Sequence, residues 1–257
     1  MARSRIRVCA GRQRLAIDNQ RFIGNVGWRQ NEQTFDALFT EWTPRAGTRL
    51  QVHWLDRVHR VAGDEAIDAL ARERSLDGRL LHLQHAMPVG VLTAYGYWIE
   101  DRDVAAASGR TVGLRWSGQG PEAAVRWGLA LEAAQQHGIS GGAGKDADYL
   151  FLEPRIEHAG RRYAVGWERI GAGNGRVFQT PLATLHAFNG WADLLLTTPA
   201  GALRTCMPAH RASGGLPAAK GNCSWPGTIS APSAAGTTGG NGMPRSGSPS
   251  CLAGTRS

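Results

Sequence analysis

The sequence predicts an all-β fold: part of an antiparallel up-and-down sheet of the transmembrane β-barrel kind, about nine or ten strands, followed by a disordered tail. Three observations predict it. From Ile6 to about Leu196 the dominant hydrophobic period is two rather than 3.6. The connections between alternating segments are by turns tight and long. After about residue 204 the chain loses its acidic residues and its periodicity together and becomes rich in Gly, Ala, Ser and Pro.

Nine candidate strands follow, at about 6–15, 34–43, 48–57, 79–86, 91–100, 111–117, 123–133, 148–157 and 161–169, and the start of a tenth is sought near Trp191. In the third, Leu50, Val52 and Trp54 alternate with Gln51 and His53. In the sixth, Val112, Leu114 and Trp116 alternate with Thr111, Gly113, Arg115 and Ser117. The seventh is the clearest: Val125, Trp127, Leu129, Leu131 and Ala133 share one face, with Arg126, Gly128, Ala130 and Glu132 on the other. A helix there would group Val125, Gly128, Leu129 and Glu132, a poor apolar stripe. In the ninth, Tyr163, Val165 and Trp167 oppose Arg162, Ala164 and Glu168. The tight turns are Thr43–Gly47, Met87–Gly90, Ser117–Pro121 and His158–Gly160, all with turn chemistry. Longer loops fall at 16–33, 58–78, 101–110, 134–147 and 170–190, and Asp64–Arg74 in the second of them, acidic at its start and basic at its end, reads as a short solvated helix.

Tight turns on one rim and long loops on the other are the asymmetry of outer-membrane barrels. A soluble β-sandwich or lipocalin-like barrel explains the alternation equally well. Two features favour the membrane: Arg, Glu, Gln and His on the faces that would point inward, and six of nine Trp lying in strands, several near their ends where interfacial girdles collect aromatics.

The net charge of +8 does not mark a nucleic-acid surface. Residues 201–257 hold five of the 29 basic residues and none of the 21 acids, so the first 200 residues balance at +3. Cys206, Cys223 and Cys251 also lie in that tail, and no Cys-x-x-Cys or Cys/His spacing supports a zinc site or a disulfide scaffold. No stretch of about 18 apolar residues predicts a transmembrane helix, and no apolar region follows the basic N-terminus as a secretory signal would require.

Motifs with chemistry are scarce. Gly141–Asp146 resembles a phosphate loop, but Ile139 stands where the first Gly is needed and Asp146 where Ser or Thr is needed. His53 and His59, and His82 and His85, lack a ligand set; His82 and His85, three apart, face opposite sides of a strand. Glu153 and Glu157, split by Pro154, make no convincing acid/base pair. No enzyme, cofactor or metal site is expected.

Gly11–Leu15 with Asp18–Ala37, Thr93–Trp98, and Thr180–Asp193 resemble the alginate-export family of outer-membrane β-barrel porins, the likeness running from about Gly11 to Leu203. The resemblance implies a monomeric barrel of about eighteen strands through which an anionic polysaccharide leaves the periplasm, its pore lined by cations that hold carboxylates. Alternation supplies Arg115, Arg126 and Arg162 as expected pore-lining, anion-binding residues, and the first family-like block adds Arg12, Arg21 and Arg29. The alternative for each is a structural arginine paired with a nearby carboxylate. His186, Asn189, Trp191 and Asp193 are candidates for a loop folded into the lumen.

The expected function is therefore that of a fragment of an outer-membrane porin for an anionic polysaccharide or smaller anionic solutes, the fragment itself inactive. Its partners would be outer-membrane lipid and the anionic solute, with no nucleic acid. Residues 204–257 read as translated out of frame: a constant shift permits Asp-Val-Tyr-Ala after Arg204 and restores aromatics and acids further on. Without a leader the chain would remain cytoplasmic, whereas its parent belongs in the outer membrane. The rival from another class is a soluble β-rich carbohydrate-binding domain in which Trp167 and Trp191 stack on sugars.

Overall fold

The computed structural model describes residues 4–140, 146–173, 176–185 and 188, together with the backbone of 203–212 and 250–255. Its strands are β1 (Arg5–Gln13), β2 (Thr34–Arg45), β3 (Thr48–His59), β4 (Glu73–Met87), β5 (Gly90–Asp101), β6 (Gly109–Gln119), β7 (Val125–Gly138), β8 (Asp146–His158) and β9 (Arg161–Ile170). The two-residue β10 (Ala172–Gly173) and β11 (Arg176–Val177) follow, then β12 (Leu203–Ala212) and β13 (Ser250–Thr255). From β1 to β9 each strand pairs antiparallel with the next in the chain. β12 pairs with β9 and β13 with β1, which makes one sheet of eleven strands. The fold is all-β, part of an up-and-down antiparallel barrel.

All nine strands read from the alternation are present, and the turns follow the expected rhythm. The β8–β9 turn is built on Ala159 and Gly160, with φ of 48° and 71°. Two positive φ values define the turn whose twist matches that of the flanking strands, and Gly160 takes its own without strain.

Three boundaries differ from the sequence reading, and the tail expected to be disordered contributes β12 and β13, whose backbones pair with β9 and β1 at the two sheet edges. β4 begins at Glu73 rather than near 79, and the helix shrinks from Asp64–Arg74 to α1 (Ala69–Arg72), capped by the Asp68 carboxylate accepting from the Leu70 amide at 2.9 Å. Cross-strand pairing outcompetes helix propensity there. Glu73 binds Arg57 across the ladder, and Arg74 turns inward to Asp101 at 2.8 Å. β7 and β8 likewise extend into the expected loop at 134–147, where Gln136 on the inner face has a partner. Residues 189–202, where a tenth strand was sought, and the Gly141–Lys145 loop lie outside the described residues. Cys9 is disulfide-bonded, which the cysteine spacing did not reveal.

The faces divide as the alternation requires. Val52, Trp54, Leu81, Trp98, Val112, Leu114, Val125, Trp127 and Val165 are exposed on the outer face. Trp42, Trp116 and Trp127 stand towards the tight-turn ends of their strands, and Trp54, Trp98 and Trp167 towards the long-loop ends. Soluble monomers rarely show so extended an apolar surface. The opposite face carries the core: Phe35, Leu55, Leu76, Leu80, Tyr95, Tyr97, Tyr149, Phe151 and Ile170.

Candidate channel lining

Two long loops fold against this inner face. The segment after β1 supplies Leu15, Ile17 and Ile23 to the core, and the segment after β9 supplies Phe178, Leu182 and Phe188. They hold each other: Gly24 N donates to Leu182 O at 2.9 Å, Thr184 N to Gln20 O at 3.0 Å, and the Gln33 side-chain amide to Gly24 O and Leu182 O at 2.8 and 3.0 Å. The two blocks that resemble one family in sequence therefore meet in space. Phe22 packs against Tyr95, Tyr149 and Phe178 with ring centroids 5.2–5.7 Å apart. Asp18 reaches His82 on β4 at 2.8 Å, while Arg21 reaches Glu168 on β9. One short segment touches β4, β5, β8 and β9 at once only if the sheet curves around it.

The buried polar groups on this wall form two linked clusters. Arg21 donates to Glu168 through Nε at 2.5 Å and Nη2 at 3.3 Å, and to Thr180 Oγ1 at 3.1 Å. Tyr149 donates to the same carboxylate at 2.9 Å. Arg21 and Glu168 are both fully buried. Burial opposes the charge on Arg21, but Glu168 and Tyr149 outweigh it and hold the guanidinium pKa above its ordinary value. In the second cluster Glu132 accepts from Tyr95 at 2.8 Å and from Arg115 at 2.5 Å. Arg115 also lies over the Phe151 ring, 5.7 Å from its centroid. Tyr95 can lie this way because Gly113 beneath its ring has no Cβ to obstruct it. Register aligns these groups: Arg49, Gln84, Thr93, Arg115, Glu132, Phe151 and Glu168 are direct neighbours from β3 to β9.

Nearer the tight turns a second rung aligns Arg126, Glu157 and Arg162. Glu157 accepts from Arg126 and Arg162, each at 2.5 Å, and Arg126 also pairs with Glu122. These residues line an open cleft of about 770 Å³. The inner positions left uncovered by the folded loops carry Arg7, Arg49, Arg126, Arg155 and Arg162 against Glu41, Glu153 and Glu157, so this part of the wall is basic.

The six arginines singled out in the sequence thus have different situations. Arg115, Arg126 and Arg162 stand on the inner wall, each shared with a carboxylate. Arg21 is an anchor for the folded loop. Arg12 stands on the outer face, paired with Asp36 at 2.9 Å, and Arg29 stacks on Trp28 in the first loop. His186, Asn189, Trp191 and Asp193 lie outside the described residues, although Thr180–Leu185 and Phe188 beside them are part of the folded-in segment.

Sequence reasoning missed Glu168, Tyr149, Glu132 and Tyr95, the acceptors and donors that complete the buried clusters. Only their inward parity on strands pointed to them. It also missed Arg60, half-buried after β3, whose Nη1 donates to Pro181 O at 3.5 Å. Burial and the nearby Arg74 lower its pKa to about 10. The four histidines weighed as ligands each have another partner: His82 meets Asp18, His85 meets Thr48, His59 meets Asp36, and His53 packs at a tilt against the Phe39 ring.

No family model and no curated protein matches the chain. Two outer-membrane porins of Pseudomonas aeruginosa have similar structures. OpdL is 15% identical with a TM-score of 0.57, over 80% of this chain and 56% of that one. OccD3 (OpdP) is 14% identical, also at 0.57, over 80% and 50%. The chain spans about half the length of these structures. At this identity the likeness speaks of architecture alone, and that architecture is part of an up-and-down antiparallel β-barrel with an apolar outer belt around a wall of inward polar rungs.

Proposed function

We propose that this chain forms part of the wall of an outer-membrane porin that passes anionic solutes, an anionic polysaccharide of the alginate type being the specific substrate class. The observation that carries this reading is the uncovered basic part of the inner wall, where Arg126 and Arg162 hold Glu157 in the cleft and Arg155 follows on the same face of β8. A planar guanidinium matches a carboxylate with two parallel hydrogen bonds. Acids interleaved among the arginines keep each contact weak enough for a polyanion to move on. In this reading the parent barrel is monomeric, sits in outer-membrane lipid and binds no nucleic acid. The alginate-export resemblance of Gly11–Ala37 and Thr180–Asp193 supplies the polyuronate.

The test reads binding, because the chain spans about half the length of its structural neighbours. The full chain, refolded in detergent, is titrated with an oligouronate and with a neutral oligosaccharide of equal length. Uronate binding that weakens with salt and with the Arg126→Gln, Arg162→Gln pair supports the proposal. Equal binding of the neutral sugar, or a chain that stays monodisperse without detergent, favours the soluble carbohydrate-binding domain instead.

We also read residues 204–257 as out of frame. Resequencing the gene across codon 204 tests this, since a shifted frame should encode further alternating strands.

A further inference from the structure

On the outer face the register sets Trp54, Arg79, Trp98 and Arg110 side by side on β3, β4, β5 and β6. All four share the parity of the apolar belt and lie towards the long-loop ends of their strands. Towards the tight turns the same face continues as Val52, Leu81, Val112 and Leu114, all exposed. Arg79 has 70% of its side chain exposed and donates to Asp77 at 3.1 Å. Arg110 is exposed as well. The Trp98 ring lies back over Gly96, where an added Cβ would stand 2.7 Å from the indole Cη2. The indole therefore covers the belt and leaves its own rung to the two guanidiniums.

A lipid-facing arginine is costly at the bilayer midplane and nearly neutral at the interface. Two of them in one rung, interleaved with Trp, place that rung at headgroup level. Their strands are two spacings apart, about 10 Å, so two long flexible side chains converge on one anion between them. We propose that Arg79 and Arg110 bind the phosphate of a phosphorylated lipid between them, over the β5 position of the rung at the long-loop rim, with Trp54 flanking Arg79. The occupant follows from the position. The rung is continuous with the belt that acyl chains cover, and a lipid alone brings chains and phosphate to one place. Asp77 and Glu100, paired one step further from the belt, face the water side of the headgroup, with Glu100 accepting from Ser140 at 3.1 Å.

The proposal rests on the barrel reading, and its test separates the two. The refolded full chain in a neutral detergent is titrated with a bisphosphorylated lipid A, with its dephosphorylated form, and with inorganic phosphate, following Trp fluorescence and lipid adducts by native mass spectrometry. The phosphorylated lipid should bind about tenfold more tightly than the dephosphorylated one. The Arg79→Gln, Arg110→Gln pair should erase that difference, and Lys at both positions should restore most of it. Circular dichroism confirms the fold, and Arg110→Gln alone serves if the pair misfolds. Equal affinity for both lipids, or no change in the Gln variants, overturns the proposal. Displacement by millimolar inorganic phosphate also overturns it, by making this a free-phosphate site. Separately, brominated phosphatidylcholine should quench the outer Trp; its failure would sink the barrel reading, whereas quenching without phosphate dependence sinks only the lipid-phosphate site.

Discussion

Glu168→Gln should release the loop after β1 from the wall of the barrel. The carboxylate is fully buried, takes two bonds from Arg21 at 2.5 and 3.3 Å and a third from Tyr149 at 2.9 Å. The amide keeps the volume but removes the charge. Arg21 cannot escape by losing its proton, because its pKa lies far above neutrality. An uncompensated buried guanidinium costs about 3–5 kcal/mol, and about 1.4 kcal/mol is a factor of ten in an equilibrium constant. The undocked population should therefore rise by about a hundredfold to several thousandfold. Trypsin reads this directly, since Arg14, Arg21 and Arg29 lie in the loop. In the refolded parent these sites should be cut slowly, and in the variant the initial rate should rise towards the limit set by an open loop. The Arg21→Met, Glu168→Leu pair should return most of the protection, because replacing both ions by apolar groups of similar size is close to neutral. If Glu168→Gln is cut within twofold of the parent, or if the double variant is as sensitive as the single, the pair does not anchor the loop.

Further outcomes are expected elsewhere. Phe22→Ala removes a ring that touches four others and should destabilise the refolded chain by about 3 kcal/mol, measured by urea unfolding in detergent; a change under about 1 kcal/mol would mean the loop is not packed as described. Gly160→Val puts a β-branched residue at φ 71° and should lower the unfolding free energy by about 1–2 kcal/mol, whereas Val at Gly128 should act through collision with Arg155 and be relieved by Arg155→Ala. Arg126→Glu together with Arg162→Glu should abolish the salt-sensitive part of uronate binding without altering the melting profile beyond the small effect of exposed ion pairs; unchanged binding would remove this rung from the lining.

Much of the architecture was legible in the sequence because it is local. A strand in a two-faced sheet must alternate, so Val125–Ala133 and Tyr163–Trp167 disclosed both their strand character and which side chains face outward. The rhythm of tight turns and long loops disclosed the up-and-down order. Where a local preference met a distant partner, the partner prevailed: Glu73 and Arg74 read as the end of a helix but became the start of β4, since Arg57 and Asp101 bind them there.

The lining was legible only as parity. Alternation placed Arg115, Arg126 and Arg162 on the inner face, but it could not tell which carboxylate each would meet. Glu168 is 147 residues from Arg21, and no spacing rule connects them. Arg12 shows the limit from the other side, since its family-like block suggested the pore while its parity sets it against Asp36 on the outer face. By itself the sequence determined the fold class, the strand order and the two faces, because each follows from a short-range period. Only the tertiary structure decided that two long loops turn inward, clasp one another and bury an ion pair against the wall, because the curving of the sheet around them is what brings those distant residues together.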